Sequence, residues 1–118
     1  MNSRYCLALD LKDDPEQIEM YKKYHRPENF RPEITASIKN SGIISMEIYL
    51  TGNRLFMIME VDKNFNFNRK TKMDAENPQV QDWENFVSQF QQMLPWAKKG
   101  EKWVLMDKIF HLDMSTET

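Results

Sequence analysis

The chain has 118 residues, of which 41% are apolar and 29% charged, with a formal charge of -2. That size and balance describe one ordinary globular domain spanning residues 1–118, and they exclude the disordered and strongly polyanionic classes. Lysine and arginine are interspersed with acidic residues, so no basic run exists to track a phosphate backbone and nucleic acid is not an expected partner. The lone Cys6 has no second cysteine to pair with, and the apolar start of the chain breaks at Asp10, too early for a signal peptide or a membrane span. The expectation is a cytoplasmic protein with no membrane partner.

The first periodic segment places Tyr5, Leu7, Leu9 and Leu11 on one side of an extended strand, and Asp13, Asp14 and Pro15 stop it and open a helix. Ile18, Tyr21 and His25 then share one helical face, which Pro27 ends. A second helix is predicted to start at Pro32, to carry Ile34 and Ile38 one turn apart, and to stop at Gly42. Residues 43–50 and 55–61 read as two strands joined by a hairpin through Thr51, Gly52, Asn53 and Arg54.

Residues 65–75 are polar with two phenylalanines and read as a short helix or an ordered loop. Asn77 and Pro78 form an N-cap and a first-turn proline, and Val80, Trp83, Val87, Phe90 and Leu94 mark one helical face up to Pro95. Residues 103–112 are predicted to form the last strand. The order β, α, β, β, α, β is that of an α+β, ferredoxin-like antiparallel sheet with helices on one face. The run Leu55-Phe56-Met57-Ile58-Met59 does not alternate, so its strand needs cover on both sides. Helices cover one, and a second copy is expected on the other, giving a homodimer of the dimeric α/β barrel type.

Three glycines leave no phosphate-cradling loop, and no histidine, cysteine or acidic cluster has metal-ligand spacing, so no cofactor is expected. These absences favour chemistry that needs only proton transfer; nucleophilic catalysis of the Ser-His-Asp kind stays open as an alternative to which nothing in the sequence points. His25, at the end of the first helix where the dipole favours imidazolium, is the candidate general acid, against the alternative of a residue that only caps the helix or bonds a carbonyl. Tyr21 lies one turn earlier on the same face. Glu47 and Glu60 interrupt apolar strands and are candidate bases if they point into a cavity, or plain solvent-facing residues if they do not. Trp83 belongs to an apolar helical face and could also stack on a sugar. His111 reads as structural or exposed, and Met57 and Met59 as core filler.

The segment Tyr21-Lys22-Lys23-Tyr24-His25-Arg26-Pro27, the helix that starts at Pro32, Gly42, and Glu47-Ile48-Tyr49-Leu50 leading to Leu55-Phe56-Met57-Ile58-Met59-Glu60 together resemble the L-rhamnose mutarotase family. The likeness continues through Val80 to Trp83, Pro95 and Gly100-Glu101-Lys102-Trp103-Val104-Leu105-Met106. It implies a homodimeric isomerase that interconverts the α and β anomers of a 6-deoxy-sugar without metal or coenzyme. The family's acid histidine falls on His25, its sugar-contacting tyrosine on Tyr21, and one of its site tryptophans on Trp83. Met46 replaces a tyrosine that contacts sugar in some members, and Trp83 is followed by Glu84 where those members pair two tryptophans.

L-rhamnose is the first substrate implied. The stretch from Met46 to Tyr49 and the Gly100 to Trp103 segment are similar to the subgroup associated with L-fucose, which keeps that sugar as the alternative. On this reading His25 protonates the ring oxygen while Glu47 or an ordered water takes the proton of the anomeric hydroxyl. A cofactor-free oxygenase or haem enzyme, and a non-catalytic ligand sensor, are the rival uses of the same topology.

Overall fold

The computed structural model describes residues 3–112. Strand β1 (Ser3–Leu11) leads through the N-cap Asp14, whose carboxylate accepts from the Glu16 N–H at 3.0 Å, into helix α1 (Pro15–Tyr24). Helix α2 (Pro32–Asn40) follows, then the hairpin of β2 (Ile43–Thr51) and β3 (Arg54–Val61). Helices α3 (Phe67–Glu76) and α4 (Pro78–Ser88) precede two short strands, β4 (Gln91–Gln92) and β5 (Val104–Leu105). No helix among the described residues is long and apolar enough to cross a membrane.

The sheet order is β2-β3-β1-β4, every pairing is antiparallel, and β5 joins the edge of β1 that also holds β4. This is the expected ferredoxin-like layout. Its hairpin turns through Gly52 at φ 57°, the positive angle that glycine adopts without a steric penalty. Asn53 ties the turn to the central strand: its amide donates to the Leu11 carbonyl at 2.9 Å, and its own carbonyl accepts from the Leu11 N–H at 2.7 Å.

Register decides which side chains face the helices. Leu7 opposes Met57, which opposes Ile48, and Tyr5, Met59 and Met46 align one pair further along. Directly opposed residues share a face. This face carries the core, with Leu7, Ile43, Met57, Met59 and Val61 in one cluster and Leu11, Tyr21, Leu55, Val87 and Phe90 in another. Ile48 and Trp103 touch both clusters. Cys6, Phe56, Ile58, Glu47 and Tyr49 lie on the other face.

One open alternative is decided and two boundaries differ from expectation. Residues 67–76 resolve the earlier alternative as a helix, capped by Asn66, whose side chain accepts from the Arg69 N–H at 2.9 Å. Helix α4 stops at Ser88, well before Pro95, because the chain turns there to pair Gln91 and Gln92 with Leu11 and Asp10. Phe90 and Leu94 stay buried all the same. The last strand is only two residues long: its ladder ends where the Met106 N–H donates to the Cys6 carbonyl at 2.8 Å. Beyond that point Ile109, Phe110 and Leu112 lie exposed among the described residues, Ile109 at 94%.

Candidate active site

Between the sheet and its helices the two core clusters part around a cavity of about 490 Å³, a size usual for small-molecule sites. Its floor is the helix-facing row of the sheet: Leu7, Met46, Ile48, Met57 and Met59. Three of those five are methionines, whose unbranched thioethers adapt to irregular space. A shallower recess of about 380 Å³ shares His25, Phe30, Ile38, Met46 and Ile48 with it and runs along the edge strand β2.

His25 is the C-cap of α1, stopped there because Pro27 cannot extend the helix. Its Nδ1 lies 2.7 Å from the Tyr21 carbonyl, and since a carbonyl only accepts, Nδ1 carries the hydrogen and Nε2 is the nitrogen left for a ligand. The imidazole stacks on the Tyr21 ring at 4.3 Å and meets Phe30 and the Trp83 ring at 5.6 and 5.3 Å. Trp83 comes from α4, with the Arg31 guanidinium 5.2 Å from its ring centre. Tyr21, His25 and Trp83, separate in the sequence, therefore line one cavity.

Electrostatics correct one expectation. The bond to the Tyr21 carbonyl does favour the imidazolium, but desolvation by burial is the larger effect and brings the His25 pKa below its ordinary 6.5. At neutral pH the ring is neutral, and Nε2 is an acceptor. Burial pushes the Tyr21 phenol up to about 12, offset in part by a hydrogen bond from the Gln91 side chain. The phenol stays protonated and has a neutral O–H to offer.

Glu47 does not join this group. Its neighbours Met46 and Ile48 point to the helices, so strand alternation turns Glu47 to the opposite face, where it accepts from the Tyr49 hydroxyl at 3.1 Å. Glu60 shares that face. The acidic and basic groups of the cavity come instead from α3, α4 and the loop before β5. Lys70 and Asp74 pair one helical turn apart, Glu84 accepts from the Gln81 amide at 3.4 Å, and Lys102 and Gln91 also line the cavity. Lys70 and Asp74 are spaced as a helical ion pair, a signal that becomes readable only once residues 67–76 are taken as a helix. Gln91 gave no signal, because its place depends on the chain leaving α4 early.

A family model described as L-rhamnose mutarotase matches residues 4–112. The chain belongs to the L-rhamnose mutarotase family. Mutarotases are isomerases that interconvert sugar anomers, and this chain is an enzyme of that kind. Among curated relatives, an L-fucose mutarotase of Xanthomonas campestris pv. campestris is 40% identical, with 92% of this chain and 87% of that protein aligned. A UPF0734 protein of Dictyostelium discoideum is 37% identical, with 92% of this chain and 89% of that protein aligned. Among solved structures, the L-rhamnose mutarotase of Formosa agariphila superposes with a TM-score of 0.68 at 20% identity, covering 93% of this chain and 98% of that one. The tetracenomycin F2 cyclase of Streptomyces glaucescens, a type-II polyketide cyclase, superposes at 0.59 and 13% identity, covering 92% and 94%. The two superpositions share the ferredoxin-like fold across enzymes of different chemistry, so the family match and not the fold indicates the reaction.

Proposed function

We propose that the protein interconverts the α and β anomers of L-fucose, with L-rhamnose as the second substrate. The observation that carries the reading is His25, with Nδ1 tied to a carbonyl and Nε2 open to a ligand in an apolar-floored cavity, within a chain of the mutarotase family. The order of the two sugars reverses the one drawn from the sequence, because the relative at 40% identity bears the L-fucose name. L-rhamnose is supported by the description of the family model.

Neutral His25 accepts the proton of the anomeric hydroxyl at Nε2 as the bond between C1 and the ring oxygen breaks. A water in the cavity protonates the ring oxygen, and the imidazolium returns its proton to that water. Rotation of the open aldehyde and the reverse sequence close the other anomer. Tyr21 donates a hydrogen bond to the sugar, and the Trp83 ring offers an apolar surface to it.

Saturation-transfer proton NMR of the two sugars, with and without protein, tests this. Faster exchange is expected for both and more so for L-fucose. Exchange at the buffer rate for both sugars rejects the reading, and a larger acceleration for L-rhamnose restores the sequence-based order.

A further inference from the structure

Gln91 opens β4 opposite Leu11, and its side chain enters the cavity beside Tyr21. An amide offers two N–H donors and one carbonyl acceptor. The nitrogen side serves the Tyr21 phenol: a hydrogen bond from the Gln91 side chain works against the upward push of burial on that hydroxyl, the effect expected of a donor to the phenol oxygen. With its oxygen engaged as acceptor, the phenol still has its own hydrogen to give. The other end of the amide is unserved among the described residues, where Oε1 of Gln91 is buried and meets no donor. A buried carbonyl oxygen without a donor is uncommon in a folded chain, and in the wall of a ligand cavity it is a vacancy for a donor from outside.

We propose that Gln91 is a substrate-binding residue that acts as one unit with Tyr21: the phenol O–H and the Gln91 carbonyl form a donor and acceptor pair that grips sugar hydroxyls and sets the sugar against His25. A sugar hydroxyl both donates and accepts, so the pair matches it where an apolar side chain at either position would not. This rests on the mutarotase reading above, and it adds to it a polar contact from an element outside the helical face that carries Tyr21 and His25.

The test measures anomer exchange of L-fucose and L-rhamnose by the full chain and by Gln91→Leu, Tyr21→Phe and the double variant. Wild type is read first. If it accelerates neither sugar, the mutarotase reading fails and this proposal falls with it. With an active wild type, Gln91→Leu is expected to lose about tenfold in kcat/KM, mostly through KM, as for one lost neutral hydrogen bond. Its circular dichroism and melting temperature should match or exceed those of wild type, because an unserved carbonyl has been removed. The double variant should be no worse than the poorer single one. A folded Gln91→Leu with the wild-type KM, or losses that simply add in the double variant, overturns the proposal. Should Gln91→Leu fail to fold, the wild-type Gln91 side-chain amide is followed by NMR as L-fucose is added: a shift that saturates with the sugar is expected, and an unmoved resonance also overturns it.

Discussion

The imidazole of His25 receives opposed instructions from its surroundings. The end of α1 invites a proton, while the rings of Tyr21, Phe30 and Trp83 exclude the water that would stabilise the charge, and exclusion wins. The consequence for stability has a definite sign. The unfolded chain, with its histidine near 6.5, binds the proton more readily than the folded one, so stability is intact above that value and falls as the pH drops through the folded pKa. Urea unfolding at about pH 7.5 and about pH 5.5 should show a smaller acid loss in His25→Asn than in wild type. An equal loss in both would assign the acid sensitivity to other groups. The same variant should lose on the order of 10²–10⁴ in anomer exchange while keeping its circular dichroism spectrum, and retained exchange removes His25 from the mechanism. The sequence led to His25 and Tyr21 through their spacing of one helical turn. It could not reveal which state of the imidazole is favoured, because burial there comes from Phe30 and Trp83, which reach the ring only through the tertiary fold.

At the scale of elements, local chemistry announced most boundaries. Asp14 with Pro15, Pro32, Gly52 and Asn77 with Pro78 all stand where caps and turns need them. Asn77 serves two helices. It ends α3 through its N–H to the Asp74 carbonyl at 3.2 Å, and its side chain caps α4 by accepting from the N–H groups of Gln79 and Val80 at 3.0 and 3.4 Å. Asn77→Ala should therefore cost about 1 kcal/mol in denaturant unfolding. An unchanged midpoint would mean that water replaces the cap without penalty. What local chemistry did not announce was the fate of long-range edges. Gln91 and Gln92 leave the helical pattern because β1 has a free edge to offer, and residues 103–112 read as a strand although the strand itself spans only Val104 and Leu105, paired with Ala8 and Leu7. Glu47 was a different kind of case: Met46 and Ile48, apolar on either side of it, already implied that it faces away from the helices.

For the molecule as a whole, the face of the sheet away from the helices carries Phe56 and Ile58 half-buried and Tyr49 at 52% exposure, and Ile109, Phe110 and Leu112 lie exposed in the segment after β5. We propose that this face and this segment meet a second copy, which would complete the cover that the non-alternating run from Leu55 to Met59 demands. Sedimentation velocity should give a dimer for wild type and a monomer for Ile58→Lys. A wild-type monomer, or a dimer that tolerates the lysine, would place the contact elsewhere or remove it.

The central position of β1 also governs how the chain reaches this fold. Its partners are β3, from the middle of the sequence, and β4 and β5, from near the far end of the described residues. None of them is a neighbour along the chain, so β1 gains no hydrogen-bonded ladder until distant segments have been brought back to it, at the entropic expense of closing long loops. Among the described strands the hairpin of β2 and β3 is the pairing with a short loop, so its ladder carries the smallest closure cost. The β1 pairings are accordingly non-local contacts of the kind that slows folding. The first strand in the described order is among the last to be satisfied.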